Sequence, residues 1–119
     1  MPWTVEVTDQ FESWWDLLTE DERISVDGMI RVLEAQGPSL GPPYSTELAQ
    51  SRFRQLRQLT VPHGDHAICV LYSSDEGRET LVLLTGTTAA GEEEICPPDQ
   101  IALADAIYDA YLSARREAH

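Results

Sequence analysis

The chemistry this chain can offer is concentrated between residues 52 and 72. Arg52, Arg54 and Arg57 form the one cationic cluster in the body of a sequence whose 8 basic residues are all arginine. Arginine suits phosphate, because its planar guanidinium donates two parallel hydrogen bonds to one anion and holds its charge at any working pH. An exposed arginine face that balances neighbouring acids is the other reading of the same residues. His66 follows the cluster at the start of an apolar run, and an imidazole there can move protons near neutrality. A histidine so placed is also commonly structural, and His63 reads as a turn residue. Tyr72 ends the apolar run, where it can stack on a base, donate a proton or pack in the core. Side chains three apart on a regular strand point to opposite faces. Arg54 and Arg57 therefore share a site only if the strand is bulged or begins after Arg54, whereas Arg52 and Arg54 can share one on a regular strand.

Other reactive residue types give weaker signals. His63 and His66 are three apart, but no acid or cysteine accompanies them at metal-ligand spacing, so neither a metal nor another cofactor is expected. Cys69 lies inside an apolar run, where a free thiol behaves as a small hydrophobe. Cys96 is far from it, and the pair has no ligand spacing. A disulfide between them stays open, and would be unusual in a reducing cytoplasm.

The elements that must position these groups fit one domain, residues 1–119. Hydrophobic residues make up 42% of the 119, enough for a packed core without metal or disulfides. No apolar run has membrane-spanning length. The start, Met1 to Glu6, has neither a basic nor an apolar leader region, so the expected compartment is the cytoplasm. With 21 acids against 8 arginines the net charge is −13. That charge repels nucleic acid at long range and favours basic partners unless the cations are clustered.

Residues 3–8 alternate apolar and polar, with β-branched residues, and read as a strand with one buried face. Thr8 or Asp9 caps a short helix whose apolar face is Phe11, Trp14, Trp15 and Leu18. Thr19 with Glu22 forms a capping box that opens a second helix running to about Gln36. Ile24, Met29, Ile30 and Leu33 give its buried stripe, and Gly37-Pro38 ends it. The stretch 37–45, rich in glycine and proline, reads as a loop. Strands are expected at 53–61, 67–72 and 79–84, joined by turns at 62–65 and 74–77. The continuous apolar run 68–72 suits a central strand. Residues 85–98 read as a loop, and Pro97-Pro98-Asp99 starts a final helix to about Arg116. Its buried face is Ile101, Ala104, Ile107, Tyr108 and Tyr111 or Leu112. Arg115 and Arg116 fall in its last turn, where the helix dipole favours cations, and are assigned no function. The result is an α+β fold: an N-terminal strand and helical hairpin, a mostly antiparallel four-stranded sheet and a C-terminal helix.

In this order the sequence resembles the RelE/ParE superfamily of bacterial toxins, and more narrowly its HigB-like, phage-derived branch. The segments that carry the resemblance are 11–15 (FESWW), 32–41 (VLEAQGPSLG), Ser51-Arg52, Leu56-Arg57, 81–84 (LVLL) and 104–112 (ADAIYDAYL). Each is weak alone; their order and spacing across nearly the whole chain are more specific. The resemblance implies a type II toxin that a cognate antitoxin, expected to be of helix-turn-helix type, holds inactive. When free, such a toxin enters the ribosome and cuts messenger RNA without metal. A 2′-hydroxyl attacks the adjacent phosphate, cations stabilise the growing charge, and a further group protonates the leaving oxygen.

The family's basic Leu-Arg segment falls on Arg54-Gln55-Leu56-Arg57. Arg57 matches directly and Arg54 replaces a common lysine. The resemblance thus implies RNA binding by Arg52, Arg54 and Arg57, with Arg57, Arg54, His66 and Tyr72 as candidate catalytic residues. The sequence also departs from the family. His66-Ala67 stands where relatives often have an arginine before the central strand. Gly86-Thr87-Thr88 stands where they have a glycine, an acid and a lysine. Gly91 to Ile95, with three glutamates, replaces a basic-aromatic segment. A run of glutamates beside a phosphate site opposes RNA binding. Two alternatives follow: a non-catalytic protein-binding module on the same fold, and, ranked last, a ParE-like gyrase poison. Fold alone does not separate them.

Overall fold

The computed structural model describes residues 3–64, 66–75, 77–88 and 96–117. The chain forms β1 (Thr4–Val7), α1 (Asp9–Asp16), α2 (Glu20–Gln36), a one-turn 3-10 helix (Gly37–Ser39), β2 (Ser45–Glu47), β3 (Leu56–His63), β4 (His66–Asp75), β5 (Thr80–Thr87) and α3 (Pro98–Glu117). The helix boundaries follow local chemistry. Thr8 caps α1 by accepting from the Phe11 N–H, and Thr19 and Glu22 form the reciprocal capping box of α2. Gly37 ends α2 with φ +58°, and a side chain there would also collide with the Trp3 indole.

Among the described residues the sheet has five strands, not four, in the order β1-β5-β4-β3-β2. The extra strand is β2, three residues that emerge from the proline-rich stretch to pair with Leu59, Gln58 and Arg57 of β3. Only β1 and β5 pair in parallel; every other pairing is antiparallel. β4 is the central strand, and Ile68 to Tyr72 are all buried. The β3–β4 hairpin is long. It runs from Leu56 paired with Ser73 to His63 paired with His66, and Gly64 at its tip has φ +61°. The expected turn at 62–65 is thus shorter than read, and Pro62 lies in the strand. β4 extends through Ser74 and Asp75, and β5 through Thr85 to Thr87, beyond the apolar runs.

The sheet separates two cores. One face carries Leu59, Val61, Ile68, Val70, Tyr72, Leu81 and Leu83, packed against Phe11 of α1 and Val26 and Leu33 of α2. The other carries Leu56, Cys69, Leu71, Val82 and Leu84, packed against Ile101, Ala104, Ile107 and Tyr108 of α3. Each fully buried leucine contributes roughly 1.5–3 kcal/mol. The buried stripe of α2 is shifted from the expected one: Val26 is buried and Ile24 is 65% exposed. On the α1 side, Gly86 lets the Trp14 ring lie against β5, since a Cβ there would meet it at 2.6 Å.

Candidate functional site

A cleft of about 770 Å³ opens at the root of the β3–β4 hairpin, where β3 begins and β4 ends. Arg54, Gln55 and Arg57 line it from the start of β3, Ser74 and Asp75 from the end of β4, Glu47 from β2 and Tyr108 from α3. Because β3 begins at Leu56, Arg54 sits in the preceding turn and is not bound by strand alternation. Arg54 and Arg57 therefore do reach one site. Arg52 does not line the cleft; its guanidinium lies 5.2 Å over the Phe53 ring.

The segment that carries these arginines is tied to α3 by a buried aspartate. Asp105 accepts from the Ser51 hydroxyl at 2.5 Å and from the Arg52 backbone N–H at 3.1 Å, and is 6% exposed. The Phe53 ring meets Tyr108 edge-on with centroids 4.9 Å apart. The loop is thus anchored by a charge-assisted pair and an aromatic contact before β3 begins.

Arg57 is held from behind. Its Nε donates to the Ser45 hydroxyl at 2.9 Å, and one terminal nitrogen reaches the Ser45 carbonyl at 3.5 Å. Ser45 Oγ and the Tyr72 hydroxyl share a hydrogen bond of 2.6 Å. Glu47 stands 3.8 Å from the guanidinium with its own side chain 85% exposed, so this pair is largely screened by water. The Arg57 side chain is 17% exposed. It lines the cleft with its Nε fixed and its terminal nitrogens only loosely engaged, which suits a group that must meet an anion with little reorganisation.

Tyr72 is fully buried, so no face of its ring is open to a base. Burial pushes its phenol above the usual value, partly offset by Ser45 and Arg57. Its observed role is to brace Ser45 behind Arg57. His66 stands at the opposite end of the hairpin. Arg57 and His63 are six residues apart on β3, roughly 20 Å at strand spacing, and His66 pairs with His63. The His63 ring lies 5.3 Å from that of His66, and its Nδ1 shares a 2.8 Å hydrogen bond with Ser25 of α2. The structure does not bring His66 to the arginines.

Sequence reading missed four residues at this site. Ser45 and Asp105 fix the arginines, as described. Asp75, read as a turn residue, ends β4 in the cleft wall. Arg115, read only as a last-turn cation, folds back to Asp75 at 3.4 Å, and Arg78 approaches the same carboxylate at 3.8 Å. Arg78 also pairs with Glu6 at 3.0 Å. The hydroxyl of Tyr111 donates to Glu6 at 2.6 Å. No local signal joins positions 6, 75, 78, 111 and 115; the parallel β1–β5 pairing and the packing of α3 do. The two cysteines are both buried and in no disulfide, and contact with Cys69 together with burial raises the Cys96 thiol far above its usual range. Among the described residues, no three His, Cys, Asp or Glu side chains gather to hold a metal. Among the described residues, no helix is long and apolar enough to cross a membrane. Residues 91–95, with their three glutamates, lie outside the described residues.

No family model matches the sequence. The chain is 36% identical over 80 residues to the protein named toxin HigB3 of Mycobacterium tuberculosis, covering 67% of this chain and 68% of that one. It is 27% identical over 112 residues to toxin HigB2 of the same organism, covering 93% of this chain but 55% of HigB2. Among solved structures, the RelBE2 toxin–antitoxin complex of M. tuberculosis matches with a TM-score of 0.58 at 17% identity, over 74% of this chain and 99% of that one. The Escherichia coli toxin RelE, solved free as a double arginine-to-alanine mutant, matches with a TM-score of 0.58 at 10% identity, over 79% and 90%. At such identities the structures speak for the fold; the HigB3 alignment speaks for descent. The chain belongs to the HigB toxin family, and its fold is the one that the RelE toxins share.

Proposed function

We propose that this protein is the toxin of a type II toxin–antitoxin pair and that, when free, it cuts messenger RNA on the ribosome in the cytoplasm. The observation that carries this reading is Arg57: seated in an open cleft beside Arg54, with its Nε pinned by Ser45, in a chain of net charge −13. Two arginines gathered in one cleft of so acidic a chain, one of them fixed by Ser45, fit a phosphate. In the reaction the RNA 2′-hydroxyl attacks the adjacent 3′-phosphate and gives up its proton, and the bond from phosphorus to the next nucleotide's 5′-oxygen breaks, leaving a 2′,3′-cyclic phosphate and a 5′-hydroxyl protonated from solvent. Arg57 and Arg54 stabilise the charge that builds on the phosphate oxygens. The proton acceptors within the cleft are carboxylates, Glu47 and Asp75. Distance excludes His66 from this reading, and burial limits Tyr72 to positioning.

The partner that silences it is a cognate antitoxin, expected to be of helix-turn-helix type, with a basic segment that complements the acidic surface. One observation favours a second reading: the same net charge, with two acids in the cleft, suits a protein-binding module without nuclease activity. Induced expression in bacteria separates the two. Growth arrest with new ends on translated messages, both relieved by Arg57→Ala, is the result expected of the toxin. Normal growth, soluble folded protein and no new ends would leave the binding module.

A further inference from the structure

We propose that Arg115 forms a second phosphate seat beside the cleft, for a neighbouring nucleotide of the RNA strand, with Asp75 holding it while the cleft is empty. The inference rests on the RNA reading above and extends it to a residue on α3 that the cationic cluster of the sequence does not contain.

Three observations carry it. The first is where the cations fall. Only Arg23 and Arg31 of the 8 lie on α2. Arg54 and Arg57 line the cleft, and Arg78 and Arg115 converge on Asp75 in its wall. The second is how loosely Arg115 is held. Its contact to Asp75 is 3.4 Å, and that of Arg78 to the same oxygen is 3.8 Å. A committed guanidinium–carboxylate pair sits at about 2.7–2.9 Å. All three side chains are about one-third exposed, so water already competes for the pair. A phosphate with two free oxygens is a stronger partner for such an arginine than a shared carboxylate. The third is the surface between the two arginine groups. Tyr108 lines the cleft and stacks on Tyr111 with centroids 6.2 Å apart, and the Arg115 guanidinium lies 5.8 Å over the Tyr111 ring. Tyr108 is 4% exposed and backs Tyr111 from the core, so the aromatic surface offered beside Arg115 is that of Tyr111; an arginine next to an aromatic face is an arrangement that tracks a single strand. The helix dipole accounts for cations in the last turn, Arg116 included, but not for Arg115 turning back onto β4.

The test uses the full chain and a short labelled single-stranded oligoribonucleotide, with binding measured across a salt series and thermal melts as a control for folding. Arg115→Gln is expected to weaken binding about three- to tenfold at low salt and to lower the salt slope by about 0.7, the value of one phosphate contact on a single strand. Arg115→Lys keeps the charge and is expected to keep the slope. Asp75→Asn is expected to tighten binding, and more so with Arg115 present than in the Arg115→Gln background. The proposal is overturned by an unchanged affinity and slope in Arg115→Gln, by equal losses in the Gln and Lys variants, by an Asp75→Asn gain that ignores Arg115, or by a wild type that binds no RNA. Cleavage of ribosome-bound message is scored separately. If binding behaves as expected and no message is cut, the phosphate seat stands and the nuclease reading fails. If messages are cut while Arg115→Gln binds like wild type, the reverse holds.

Discussion

The two ends of the β3–β4 hairpin carry the groups most suited to chemistry, and the arginine-lined cleft lies at one of them. At the tip, His63 and His66 face each other, with a hydrogen bond to α2 from His63. At the root, Arg57 and Tyr72 are directly paired across the strands, and around them gather Ser45 from β2, Asp75 from the end of β4, and Asp105, Tyr108 and Arg115 from α3. Arg57 and His66 are close in sequence and far apart in space, because an eight-residue strand separates them. Arg57 and Tyr108 are far apart in sequence and line one cleft, and Arg115 reaches Asp75 in its wall. Closeness along a strand is a poor guide to a shared site, whereas the docking of a helix on the strand's root builds one.

The sharpest way to break this contrast is to remove the root's arginine. Arg57→Ala is expected to lower the cleavage of ribosome-bound message by about 10²–10³-fold, the usual loss for one preorganised charge-stabilising donor, with circular dichroism unchanged. Loosening the root without touching its cations gives a smaller effect. Asp105→Ala removes the acceptor for Ser51 and the Arg52 N–H, so it is expected to cost about 1–3 kcal/mol in chemical denaturation and to reduce cleavage by less than Arg57→Ala does.

The ends also titrate in opposite directions. At the root, burial raises the Tyr72, Tyr108 and Tyr111 phenols above the ordinary value of 10.0, with a hydrogen bond to Glu6 adding to the effect on Tyr111. The unfolded chain loses those protons near pH 10 while the native protein keeps them. Stability is therefore full below pH 10 and falls as pH rises above it. Near the tip, Glu22 is lowered below its ordinary 4.5, chiefly by its bond from the Thr19 backbone, with smaller effects from the Thr19 hydroxyl, His63 and His66. Its contribution is present above pH 4.5 and fades on acidification. Urea midpoints from about pH 2 to about pH 11 check both limbs, and Glu22→Gln should flatten the acid limb alone. The smallest expected effect belongs to His66→Ala: cleavage within about twofold of wild type, and a stability change within about 0.5 kcal/mol, as for other exposed positions.

The helices were legible in the sequence because their signals are local. Thr19 and Glu22 satisfy each other within one turn, Gly37 ends α2, and Pro98 opens α3. The strands were legible only as far as their apolar runs. β4 and β5 continue through Ser73, Ser74 and Thr85, polar residues that are buried by neighbouring strands and so carry no hydrophobic period. β2 has three residues, too few for any alternation to show. The same limit explains the site. Arg54 and Arg57 stood out as a cluster, but Ser45, Asp75, Asp105 and Arg115 reach them only through the packing of β2, β4 and α3. Ile24 was misplaced because α2 buries Val26, the residue two positions on, against the sheet.

The most direct measurement of the central claim is an amide chemical-shift titration of the labelled protein with a short single-stranded oligoribonucleotide. The largest changes are expected at the hairpin root, in residues 47–57, at Ser74 and Asp75, and from Tyr108 to Arg115, with Ser25, His63 and His66 unmoved. Changes centred on the hairpin tip, with the root silent, would contradict the claim.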